Sequence, residues 1–142
     1  VPRTYKGLTA LPGVGPKVAL CVMTVVFGQT HAGVVVDSNL HRLCNRLGIN
    51  AGSSSSLAVA GRRDEAAGKH NSSGGSAEST RKNLQQWLPK EEWADFSVRG
   101  IALAQALCVP GPGKPRCSQC PMSAALGDGP GVLPLCPSAE LF

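Results

Sequence analysis

The chain has 142 residues, with 14 Lys and Arg against 9 Asp and Glu, so its formal net charge near neutrality is +5. That length suits one domain with a modest core, and the basic balance favours a polyanionic partner without requiring one. No stretch approaches the roughly 18 consecutive apolar residues of a membrane-spanning helix, so no membrane partner is expected.

The chain opens at Val1 just ahead of Leu11-Pro-Gly-Val-Gly-Pro-Lys17, and it reads as the C-terminal portion of a longer protein. Pro12 ends any preceding helix, Gly13 and Gly15 allow unusual or closely approached backbone, and the apolar run 18–27 predicts a new helix. Its apolar residues lie on nearly every side, which calls for burial all round. The whole unit reads as helix, hairpin, helix. The bare amides of Gly13, Val14 and Gly15 beside a helix start suit a phosphate oxygen, although Gly-x-Gly also fits a plain tight turn between packed helices. Lys17 adds a primary amine at that helix start, either a nucleophile, a phosphate clamp or a solvent-exposed lysine.

Twenty positions later, Asp37 precedes a predicted helix over 38–47, with Leu40, Leu43 and Leu47 on one face and Gly48 as its stop. The intervening helix and return loop can bring Lys17 and Asp37 to one cleft. Asp37 could serve as a proton acceptor there, as the N-cap of its helix, or as both. Arg42, Asn45 and Arg46 lie opposite the leucines and read as structural hydrogen-bonding or ion-pairing groups. His31 and His70 fall in loops, His41 reads as a surface residue, and none has metal-ligand partners nearby in sequence. Cys21 and Cys44 read as buried, reduced thiols.

Between residues 51 and 79, Ser, Gly and Ala fill 19 of 29 positions, a composition that buries too little apolar surface to offset chain entropy. A flexible insertion over 51–77 therefore separates the hairpin segment 1–50 from helices expected within 78–107, at 78–88 and, after Pro89, 91–107. Trp87 and Trp93 are assigned to the core. The remaining segment, 108–142, holds Cys108, Cys117, Cys120 and Cys136 in the pattern Cys-x8-Cys-x2-Cys-x15-Cys. Four thiolates can hold one 4Fe-4S cluster or one tetrahedral zinc, and two disulfides are the remaining possibility. Lys114 and Arg116 in the first gap are candidate phosphate contacts.

The hairpin 11–19, the segment 36–48, Ser79-Thr-Arg81, Gln86-Trp-Leu-Pro89 and the four-cysteine end together resemble the endonuclease III family of helix-hairpin-helix DNA glycosylases, particularly its eukaryotic members. The resemblance implies an all-α fold, represented here in part, with a C-terminal cysteine loop around a 4Fe-4S cluster, zinc being the alternative. It implies damaged double-stranded DNA as partner, a monomer, and a nuclear, mitochondrial or plastid location. It also implies a bifunctional activity, with Lys17 attacking the sugar and Asp37 assisting, on oxidised pyrimidines. Adenine-mismatch glycosylases lack a lysine at the position of Lys17, and oxoguanine glycosylases lack the four cysteines. A non-catalytic DNA-binding module with a structural metal is the rival reading. Two departures stand out: Asn39 replaces a family histidine, and the cysteine spacing is wider than the family's by two residues in the first gap and ten in the last.

Overall fold

The computed structural model describes residues 1–50, 75–110, 115–123 and 136. The expected insertion over 51–77 falls almost wholly outside them, as do Lys114 and most of the last cysteine gap. Among the described residues there is no β-strand, and no helix is long and apolar enough to cross a membrane.

Among the described residues five α-helices form the frame: α1 (Tyr5–Thr9), α2 (Pro16–Cys21), α3 (Ser38–Arg46), α4 (Ala77–Trp87) and α5 (Trp93–Ala106). Their starts follow capping chemistry. Thr4 accepts from the Gly7 amide, Ser76 from the Ser79 amide and Asp37 from the Leu40 amide, each side-chain oxygen satisfying a donor that the first turn leaves free. Glycine precedes α2 instead, with Pro16 at the first helical position, where a missing N–H costs nothing. The expected helix over 18–27 thus begins two residues early, and at Val22 it passes into a π-helical turn, Val22–Val26. Short 3-10 turns at Lys90–Glu92, Cys117–Gln119 and Pro121–Ser123 complete the elements.

The larger core joins α3, α4 and α5 through Leu40, Leu43, Cys44, Leu84, Trp93 and Ala104. Helices α3 and α5 meet so closely that a Cβ added at Gly100 would lie 2.6 Å from a Leu40 methyl. Cys44 is fully buried as expected, and burial pushes its thiol up to about 11; Cys21 is only half-buried. A smaller cluster, Leu8, Ala19 and Met23, holds α1 against α2. Between them runs the extended segment 33–36, buried throughout, whose Val34 amide is accepted by Gln85 at 3.4 Å and whose Val35 amide is accepted by the Ser97 hydroxyl at 2.9 Å. These side chains stand in for the ladder partners a strand would have.

Trp93 is buried and donates its indole N–H to the Leu88 carbonyl, whereas Trp87 is 54% exposed and meets Phe96 edge-on. The assignment of Trp87 to the core is corrected: at the end of α4 it faces out of the seam that buries Leu84. His41 is corrected as well, because its Nδ1 lies 2.7 Å from the hydroxyl of Thr80, which is wholly buried. Val18, Val25 and Val26 are 43, 78 and 67% exposed, so the apolar helix over 16–26 is covered on one side only.

Candidate active site

The turn ahead of α2 is closed by the Val14 amide donating to the Leu11 carbonyl, and Gly13 takes φ +78°, a conformation that side chains resist. Gly15 takes the close-approach alternative, since its backbone is extended and open space surrounds it. Its lack of a side chain therefore matters for what can approach from outside, not for the turn itself. Gly13 and Gly15 are exposed, Val14 is half-buried, and Lys17 stands exposed as the second residue of α2.

Lys17 lines a cleft of about 260 Å³ together with Pro16, Leu20, Val36, Glu78 and Arg81. Val36 is the last buried residue before Asp37, so the extended segment delivers Asp37 to the neighbourhood of this cleft. The Asp37 carboxylate is fully engaged locally: one oxygen accepts from the Leu40 amide at 2.8 Å, the other from the Asn39 side-chain amide at 3.0 Å. Asn39 in turn accepts from Arg42 at 3.1 Å, and Arg42 donates to the carbonyls of Ala104 and Cys108. Asn39, where the family pattern has histidine, thus couples Asp37 to the end of α5. The capping role of Asp37 is realised; the residue is half-buried and is not among those that line the Lys17 cleft.

Sequence reasoning passed over Glu78 and Arg81 as residues that share the Lys17 cleft. Arg81 donates from Nε and Nη2 to the two Glu78 oxygens, a two-pronged pair one turn apart on α4, and from Nη1 to Gln85 at 2.6 Å. The Arg81 hydrogen bonds hold the Glu78 carboxyl below its ordinary range, so it stays ionised. The available signal was the Glu-x-x-Arg spacing at a helix start.

At the opposite end of α3, Cys108, Cys117, Cys120 and Cys136 line one pocket with Leu43, Leu47 and Leu107. Arg46 donates to the Cys108 sulfur at 3.0 Å and to the Cys108 carbonyl, the contact a thiolate would favour. Cys136 joins this pocket despite the long preceding gap, with its sulfur 3.8 Å from the Arg46 carbonyl. The pocket is narrow, about 20 Å³, and among the described residues no three metal-binding side chains are already gathered to hold an ion. The all-sulfur donor set and the Arg46 N–H fit a 4Fe-4S cluster or zinc, and gathering the four thiols requires the pocket to adjust. Arg116 is exposed beside Cys117, and its backbone amide anchors this loop to the Leu107 carbonyl at 2.8 Å.

No protein-family model matches the chain. The chloroplastic endonuclease III homolog 2 of Arabidopsis thaliana is 34% identical over 139 residues, which are 98% of this chain and 29% of that protein. Endonuclease III-like protein 1 of Bos taurus is 36% identical over 84% of this chain and 32% of its own length, and endonuclease III of Bacillus subtilis is 31% identical over 91% and 48%. The chain therefore spans between about a third and a half of the length of these relatives. A solved structure of a trapped endonuclease III–DNA covalent intermediate superposes with a TM-score of 0.69 at 27% identity, covering 99% of this chain and 50% of that one. A non-covalent endonuclease III–DNA complex gives 0.67 at 26% identity, with the same coverage. By sequence and by its helical fold, this chain belongs to the endonuclease III family.

Proposed function

We propose that the protein to which this chain belongs is a bifunctional DNA glycosylase and abasic-site lyase of base-excision repair, acting on oxidised pyrimidines in duplex DNA. The observation that carries the reading is Lys17, exposed on the second residue of α2, directly after the glycine turn and at the wall of a nucleoside-sized cleft. The solved relatives are endonuclease III bound to DNA, one of them covalently, which supports a covalent step in this reading.

In this reading the damaged nucleotide leaves the stack, because C1′ is shielded within a duplex. The amides and open backbone at Gly13, Val14 and Gly15 grip the DNA backbone, with Lys114 and Arg116 as further phosphate contacts. The Lys17 Nζ lone pair forms a bond to C1′ while the C1′–base bond breaks; the base leaves with that electron pair and takes up a proton. Opening of the C1′–O4′ bond then gives an iminium, with O4′ becoming a hydroxyl. The iminium acidifies C2′–H: loss of that proton and departure of the C3′ oxygen with its phosphate cut the strand by β-elimination. Asp37 takes the proton from the attacking amine and stabilises positive charge developing on the sugar.

Cys108, Cys117, Cys120 and Cys136 would hold a 4Fe-4S cluster, or zinc in its place, that ties the C-terminal loop to α3 and α5. The protein acts as a monomer in a nuclear, mitochondrial or plastid compartment. Borohydride reduction of the complete protein on an abasic-site duplex tests the reading. A covalent adduct that disappears in Lys17→Ala supports it; salt-sensitive binding with no adduct would leave only a DNA-binding module.

A further inference from the structure

The described residues contain two carboxylate–arginine pairs spaced along single helices, and they differ in what surrounds them. Asp95 and Arg99 on α5 are both open to solvent, at 62 and 81% side-chain exposure, where such a pair contributes little. Glu78 and Arg81 line the Lys17 cleft, and the Arg81 side chain is only 17% exposed. Arg81 is also braced from behind: Gln85, which accepts from its Nη1, also accepts from the Val34 amide of the segment leading to Asp37. Three of the guanidinium N–H groups are thus taken by Glu78 and Gln85, which makes it a bracket for Glu78. Each Glu78 oxygen accepts one bond from Arg81 and keeps a lone pair for another donor. The other charged side chain lining the cleft is the Lys17 ammonium.

We propose that Glu78, held by Arg81 on the wall of the same cleft, is a positioning residue for Lys17: its carboxylate faces the positive iminium once that forms. The inference rests on the reading of Lys17 as the nucleophile. Glu78 itself makes and breaks no covalent bond. At an abasic site the amine adds to the C1′ aldehyde and one water is lost, leaving an iminium whose charge lies within the cleft that Glu78 lines. A fixed anion at that point needs no reorganisation as the charge develops.

The test uses the complete protein in single-turnover borohydride trapping on an abasic-site duplex, across protein concentrations, with Lys17→Ala as control. Removing the charge without changing shape, in Glu78→Gln, is expected to lower the saturating rate of adduct formation by about ten- to a hundredfold while the half-saturating concentration and the melting temperature stay close to wild type. Glu78→Asp, which keeps the charge, should recover part of the rate. A saturating rate in Glu78→Gln equal to wild type, with Lys17→Ala inactive, overturns the positioning role and leaves the nucleophile reading intact. Absence of a wild-type adduct overturns both. Should Glu78→Gln fail to fold, Arg81→Lys decides: it keeps the charge but loses the two-pronged grip, and an unchanged saturating rate would overturn the proposal equally.

Discussion

Helix α3 has a different kind of site at each end. At its start, Asp37 caps the helix, Asn39 links that carboxylate to Arg42, and the neighbouring cleft is lined by the hydrogen-bonded Glu78–Arg81 pair. At its finish, Arg46 grips Cys108 and four sulfurs share a pocket that still has to close around whatever they bind. The first end is organised by the chain alone. The second supplies donors whose final arrangement belongs to the bound group, as expected where metal binding and folding are coupled.

The largest predicted effect separates the two roles of Asp37. Asp37→Ser keeps an N-cap oxygen and removes the carboxylate, so helix stability should change by less than about 1 kcal/mol while the trapping rate falls by about a hundredfold or more. Equal losses in melting temperature and rate would instead reduce Asp37 to a cap. At the other end of α3, Cys120→Ser should remove the visible absorption of a bound cluster, or zinc from the purified protein, and loosen the C-terminal loop in hydrogen exchange. The cleft end should keep its exchange protection, and collapse of both ends together would contradict the division.

Smaller effects test the packing that holds the ends apart. Gly100→Ala pushes a methyl against Leu40 where α3 crosses α5, and thermal unfolding should show a loss of about 1–3 kcal/mol. Thr80→Val leaves His41 and Asn50 without their shared partner, at a cost of about 1–3 kcal/mol. The smallest concerns Glu78, whose carboxyl is held below its ordinary range, chiefly by the Arg81 hydrogen bond. A depressed carboxyl adds stability above its unfolded pKa and loses it as pH falls through the folded value. The stability difference between wild type and Glu78→Gln, too small to move the melting temperature much, should therefore be present at neutral pH and vanish in acid, a trend that urea titrations at several pH values would show.

Local chemistry made much of this legible from residues alone. The leucine spacing and Asp37 located α3 to within a residue, and the apolar run after the glycine turn located the start of α2 to within two. The cysteines pointed to a common site before any geometry was known. Other features depended on tertiary context. Thr4 through Thr9 carry too short a pattern for α1 to stand out, and the π-helical turn at Val22 has no mark in an apolar run. Trp87 and Trp93 look alike in sequence, yet only Trp93 turns toward the seam between α3 and α5. Glu78 and Arg81 come to share a cleft with Lys17 only through the fold, about sixty positions away along the chain.

The central claim is that Lys17 is the bonding group. Mass spectrometry of the peptide carrying a borohydride-reduced abasic-site adduct tests it most directly. The account predicts the deoxyribose remnant on Lys17; a remnant on another lysine, or on the amino terminus, would contradict it.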